Sequence, residues 1–258
     1  MRFLIVAAPR TGSSHLCDLL NGQPDILCNG EVFHPRKAYV RWPRVPGRKQ
    51  TIQELEQLRE RDAVEFVEHI FATDFGRSHV GFKMFDGHHD SILEQLIDSR
   101  DVRKIVLYRR NVLANYSSKL LASASGKWDH RNNEPVQEQR KVRFNAKQFV
   151  KFHNKYVEYY GRVLARLNES QQCFWLHNYE DINSNHLFAG LVGFIGGKAS
   201  SISLESKHRR QNSADIVSRF VNPDAVERFM SACRLQHWAH EGDTSLKQLS
   251  IDILMEQR

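Results

Sequence analysis

Phe3-Leu4-Ile5-Val6-Ala7-Ala8, followed at once by Pro9-Arg10-Thr11-Gly12-Ser13-Ser14, is the stretch that decides the fold. An unbroken apolar run of this length reads as a strand buried on both faces, the mark of a parallel sheet covered by helices. A helical pattern, Ser13–Asn21, starts directly after it. A strand that turns tightly into a helix aims several backbone N–H groups and the positive helix end at one spot. Gly12 permits the turn, Thr11, Ser13 and Ser14 offer hydroxyls, and Arg10 brings a fixed positive charge. Pro9–Ser14 therefore reads as a cradle for phosphate or sulfate, against the plainer alternative of a serine-rich helix cap. It is not the nucleotide-triphosphate loop G-x-x-x-x-G-K-[ST]. No lysine follows Gly12, and Ala7 stands where the first glycine belongs.

Working outward, three more β-rich runs appear: His79–Phe85, Lys104–Tyr108 and Cys173–His177. Helical patterns lie between them over Thr51–Thr73, Ser91–Asp98, Val112–Ala124 and Asn145–Leu167. Alternating strands and helices predict βαβ units and a mostly parallel sheet with helices on both faces. The expected fold is a three-layer α/β sandwich, one domain over residues 1–258. Irregular loops at about 34–50 and 125–143 interrupt it. In such folds, loops at the C-terminal strand ends border the ligand crevice.

Composition narrows the function classes. The 258 residues are 41% hydrophobic and 26% charged, which suits a globular chain. The net charge of +7 asks for an anionic partner without naming it. No apolar run is long enough to span a bilayer, and the N-terminus does not read as a secretory signal, so a cytoplasmic protein is expected. Cys17, Cys28, Cys173 and Cys233 lack the close pairing of metal or redox sites and read as reduced and structural.

A second anion motif follows a later strand. Lys104–Tyr108 ends in Arg109-Arg110-Asn111, and the helical pattern beyond carries Ser117 and Ser118. Asn111 is a good helix cap, and Ser118 lies roughly 10 Å further along the helix. An arginine before the cap and a serine two turns in can grip one phosphate.

Taken together, the two motifs resemble those of sulfotransferases that use 3′-phosphoadenosine 5′-phosphosulfate (PAPS). Pro9–Ser14 resembles the 5′-phosphosulfate loop, with Arg10 where carbohydrate, nodulation-factor, glycolipid and tyrosylprotein branches usually carry arginine. Arg110 and Ser118 resemble the 3′-phosphate motif, although Arg109 and Ser117 keep the same spacing. The group most resembled is the bacterial lipopolysaccharide and nodulation type. Three further segments fit: Cys28–Phe33 with its Gly30-Glu31 pair, Leu176–Asp181, and the basic run Lys207-His208-Arg209-Arg210-Gln211-Asn212.

The resemblance implies a P-loop-like fold and transfer of a sulfuryl group from PAPS to an acceptor, here a hydroxyl of a glycan or glycolipid, with no metal and no nucleic acid. Pro9, Arg10, Thr11, Gly12, Ser13, Ser14, Arg110, Ser118, Lys207, Arg209, Arg210, Gln211 and Asn212 would hold the donor. Glu31 is the first choice for the base. His88 and His89 come next, because a histidine at a strand end suits acid–base work. His34 is the third choice. Lys83 reads either as a neutraliser of the moving sulfuryl group or as a strand lysine facing solvent. Trp42 and Trp128 are candidates for glycan contact, and the series Phe149, Phe152, Tyr156, Tyr159, Tyr160 reads as core. Two other classes stay open: a P-loop kinase that takes ATP with Mg²⁺, and a basic nucleic-acid-binding protein with salt-sensitive binding.

Overall fold

A computed structural model describes residues 1–42, 51–128, 140–198, 204 and 212–242. Its centre is a five-stranded, wholly parallel sheet in the order β2-β3-β1-β4-β5. The strands are β1 Arg2–Ala7, β2 Ile26–Glu31, β3 His79–Met84, β4 Val102–Tyr108 and β5 Phe174–Asn178. The helices are α1 Ser13–Asn21, α2 Ile52–Arg61, α3 Ala63–Ala72, α4 Asp90–Asp98, α5 Val112–Ser125, α6 Ala146–Glu169, α7 Asn185–Phe194 and α8 Pro223–Ala232.

The alternation of β1 sorts the core into two layers. Phe3, Ile5 and Ala7 pack with Leu16, Leu19 and Leu20 of α1 and with Phe188, Leu191 and Val192 of α7. Leu4, Val6 and Ala8 face the other way, toward a larger cluster that includes Phe66 of α3, Leu93 of α4, Leu113 of α5 and Tyr160 of α6. Successive side chains point to opposite faces, so a strand apolar at every position must be covered twice. The result is the expected P-loop-like three-layer α/β fold.

The aromatic series on α6 is core, as read, and it also anchors the sheet. Tyr160 Oη donates to the Leu107 carbonyl at 2.6 Å and accepts from the Ala8 N–H at 2.9 Å. Tyr156 Oη accepts from the Arg109 N–H at 2.8 Å and lies 3.1 Å from the carbonyl of the same residue. Each hydroxyl fixes the point where a central strand gives way to an anion motif.

Several sequence expectations need correction. β2 was not anticipated, because Ile-Leu-Cys-Asn-Gly-Glu alternates poorly and ends polar. It is an edge strand, and its exposed side is occupied by residues 39–41: Gly30 N–H donates to Tyr39 O, and Arg41 N–H to Asn29 Oδ1, both at 2.9 Å. The span Thr51–Thr73 is two helices rather than one. Asp62 is extended, and its side chain caps α3 by accepting from Val64 and Glu65 N–H. Trp42 is half-buried and packs against the core beside His69 and Phe75. Only Cys17 and Cys28 are buried; Cys173 and Cys233 are exposed. Among the described residues, no helix is long and apolar enough to cross a membrane.

Candidate active site

The C-terminal ends of the five strands deliver the site. β1 leads into the Pro9–Ser14 turn, where Arg10 (φ 69°) and Gly12 (φ 82°) are both left-handed. Glycine tolerates that region freely, whereas arginine is strained there. A Cβ on Gly12 would lie 2.6 Å from Tyr179 and 2.9 Å from Ile182. Gly12→Ala is therefore expected to lose about 2 kcal/mol or more of stability, read as a fall in urea midpoint. An unchanged midpoint would mean that the turn relaxes. Thr11 Oγ1 closes the loop by donating to the Ala8 carbonyl at 2.7 Å, and Asn115 Nδ2 holds the Pro9 carbonyl at 3.1 Å.

The loop meets the second motif directly. Arg10 Nε donates to Ser118 Oγ at 3.0 Å, and Arg10 Nη1 donates to the Trp128 carbonyl. Asn212, the one residue of the late basic run that is described, donates to the same Ser118 oxygen at 3.1 Å. Lys207, Arg209, Arg210 and Gln211 lie outside the described residues. Ser117, one position earlier, is fully buried; it donates to the Ala114 carbonyl and accepts from Arg219. Of the two serines in the alternative registers, Ser118 thus faces the loop.

The two arginines divide differently. Arg110 lies 3.6 Å from Asp181, in the 3-10 turn Tyr179–Asp181 that follows β5, and its Nε is buried without a partner. Arg109 is buried. It stacks on Tyr179 at 4.2 Å, donates to the Arg10 carbonyl at 3.2 Å and pairs with Glu241 at 2.5 Å. Arg109 and Glu241 thus support the strained Arg10 turn, and no local sequence pattern announces Glu241 in that place.

The third group lies on the other side of the loop. A register shift at the end of β2 sets Glu31 opposite Lys83 of β3. Lys83 does not face solvent: it is 4% exposed. Its Nζ lies 3.2 Å from Ser13 Oγ, 2.9 Å from Ser14 Oγ and 3.2 Å from Glu31 Oε1. One buried ammonium thus connects the cradle hydroxyls to a carboxylate. Of the two readings of Lys83 in sequence, the solvent-facing strand lysine is the one its burial excludes.

The histidines separate in the same region. His88 Nε2 lies 3.7 Å from Glu31, while its Nδ1 accepts from the Phe85 N–H at 3.3 Å. An occupied Nδ1 lone pair places the proton on Nε2, facing Glu31. Burial brings the pKa of His88 down to about 4, against the pull of Glu31. His89 caps α4, accepting from Ile92 N–H at 3.4 Å, and His34 accepts from Arg36 N–H at 3.2 Å. Burial also holds His177 near 4. Both lowered groups are neutral when folded, so the unfolded chain binds more protons between pH 6.5 and 4. Stability is expected to drop as pH falls through that window, by up to about 3 kcal/mol per histidine. Urea midpoints at pH 7 and 4.5 check this, and equal midpoints would refute it.

Fold and site together define a P-loop-like α/β protein with a hydroxyl-rich glycine turn after its central strand and, beside it, a buried Lys83 paired with a partly exposed Glu31. No family model matches the chain. It is similar to Nodulation protein H of Rhizobium tropici, at 24% identity over 231 residues, 85% of each chain. It is also similar to Nodulation protein H of Rhizobium meliloti (strain 1021), at 28% identity over 129 residues, 49% of each. Among solved structures it is similar to a sulfotransferase from Alicyclobacillus acidocaldarius, with a TM-score of 0.49, 14% identity and coverage of 92% of this chain and 98% of that one. The nodulation-type resemblance read from the two motifs is thus matched by one relative, Nodulation protein H of Rhizobium tropici, along 85% of the chain.

Proposed function

We propose that the protein is a sulfotransferase that uses PAPS to sulfate a hydroxyl of a carbohydrate or glycolipid, with Glu31 as general base. The observation that carries the reading is the Ser13/Ser14–Lys83–Glu31 chain. The Lys83 ammonium that reaches the Ser13 and Ser14 hydroxyls also lies 3.2 Å from Glu31, which supports a carboxylate base beside the loop. PAPS, when bound, supplies the sulfuryl group.

Pro9–Ser14 and the N-terminus of α1 would hold the 5′ end of the donor. Arg110 and Ser118 would hold its 3′-phosphate, and Lys207, Arg209, Arg210, Gln211 and Asn212 would bind the nucleotide. Buried, unpartnered Arg110 Nε and the Ser118 hydroxyl suit that anion. Arg10 spans the two ends and stabilises charge that grows on the leaving 5′-phosphate. Lys83 neutralises charge between donor and acceptor, which is why the loop itself can lack a lysine. Glu31 takes the acceptor proton as the oxygen attacks in line. His88 is the poorer base, with Nδ1 occupied and its proton facing Glu31; it orients that carboxylate.

Incubation with ³⁵S-labelled PAPS and a panel of oligosaccharides and glycolipids tests the acceptor class. Label should pass to a glycan hydroxyl. Transfer confined to tyrosyl peptides or simple phenols would contradict it.

A further inference from the structure

Residues 140–157 carry six Lys and Arg and no Asp or Glu: Arg140, Lys141, Arg143, Lys147, Lys151 and Lys155. That run accounts for nearly all of the net charge of +7, so the rest of the chain is close to neutral. Lys147, Lys151 and Lys155 recur every four residues along α6 and form one stripe. The stripe is exposed and lies opposite the buried Phe149, Tyr156 and Tyr160. Lys141 and Arg143 are exposed too, on the segment that leads into the helix. Among the described residues, none of these five has an ion-pair partner.

A charged stripe alone is an ordinary solvated face. Two further observations give this one a partner. The first is aliphatic: Val150, 44% exposed, stands between Lys147 and Lys151 in the helix. Val221, 54% exposed, donates its N–H at 2.9 Å to the carbonyl of Val142, which stands between Lys141 and Arg143. Aliphatic side chains among lysines suit the boundary between lipid headgroups and acyl chains. Nucleic acid is held instead by stacking on exposed aromatics, and Phe144, Phe149 and Tyr156 of this run are buried. The second observation is position. Tyr156 and Tyr160 bond the backbone at Arg109 and Leu107, at the C-terminal end of β4, and further along α6 Arg166 pairs with Asp98, just before β4 begins. The part of α6 before Tyr156 therefore runs about 15 Å beyond the strand ends that carry the candidate site. The carboxylates nearest the stripe are Glu158, past its end, and Asp224 and Glu227 beside Arg228 on α8, and they leave the face cationic.

We propose that this face docks on an anionic phospholipid bilayer, with the lysines on the lipid phosphates and Val150 and Val221 at the headgroup boundary. Docking would turn the strand ends toward the membrane surface. The proposal does not depend on the sulfuryl-transfer reading.

The test sediments the full chain with vesicles of phosphatidylcholine alone, or with roughly one phosphatidylglycerol in three lipids, at low and high salt. The anionic vesicles should bind at least about tenfold more tightly than the neutral ones, and high salt should release the protein. Lys147→Gln, Lys151→Gln and Lys155→Gln together should weaken binding roughly a hundredfold, at about fivefold per lysine. Arginine at the same three positions should keep it. Arg61→Gln, Arg100→Gln and Lys198→Gln together remove the same charge elsewhere and should cost less than about threefold. Val150→Ser with Val221→Ser should cost about fivefold. Three results would overturn the proposal: equal binding to neutral vesicles, equal losses in the two triple glutamine variants, or binding unmoved by the valine substitutions, which would mark a general polyanion surface such as nucleic acid uses.

Discussion

Arg10→Ala is expected to weaken binding of the product nucleotide, 3′-phosphoadenosine 5′-phosphate (PAP), by tenfold or more. Sulfuryl transfer should fall further, by roughly 10²–10³-fold, as when a charge-stabilising donor is removed. Arg10 belongs to the Pro9–Ser14 turn and reaches the second motif through Ser118 Oγ at 3.0 Å. Its loss removes a fixed charge from both ends of the donor at once. The backbone should not relax, because Arg10 has φ 69° and alanine is no better suited to that region than arginine. Arg10→Lys keeps the charge and loses the planar fork, so it should restore part of the affinity. Calorimetry on the folded variants reads the first effect and initial rates the second. An Arg10→Ala protein that binds PAP as wild type does would remove the loop from the site.

Glu31→Gln is expected to divide binding from chemistry. The substitution keeps the size and the strand-end position of the side chain and removes its ability to take a proton. The rate constant kcat should fall by roughly 10²–10⁴, the usual contribution of a positioned base. PAP affinity should hold or rise, because the lost carboxylate stands 3.2 Å from Lys83 and opposes an anion there. His88→Ala should cost much less, since it loses only an imidazole 3.7 Å from Glu31. A His88→Ala loss that matches or exceeds that of Glu31→Gln would transfer the base role to the histidine.

What the sequence disclosed and what it hid follow from the kind of signal each residue carries. β1 and the turn after it are legible because a strand covered twice is apolar at every position and a cradle needs a glycine at a left-handed residue. α1 is legible for the same reason, as its pattern begins where the turn ends. β2 is hidden, because Asn29 and Gly30 break its apolar pattern and its edge is bonded by residues 39–41, which no local pattern announces. The break at Asp62 is hidden because the apolar spacing continues across it, and only the cap shows that the helix restarts.

The candidate site divides along the same line. Arg10, Ser118 and Asn212 could be named from motif order, and they meet in space. Lys83 and Glu241 could not be placed. Their roles come from pairings across the fold, Lys83 to Ser13, Ser14 and Glu31, and Glu241 to Arg109, each between residues far apart in the chain. The tyrosines of α6 read as core from their helical spacing. The hydroxyls of Tyr156 and Tyr160 also bond the backbone at the ends of β4 and β1, a second task that helical spacing alone does not reveal.

The most direct test of the account is calorimetric titration of the wild-type protein with PAP in the presence of a chelator, beside ATP with Mg²⁺. The account predicts micromolar, one-to-one binding of PAP without metal, tighter than that of ATP with Mg²⁺. Absence of PAP binding to the folded protein, or preference for ATP with Mg²⁺, would contradict it.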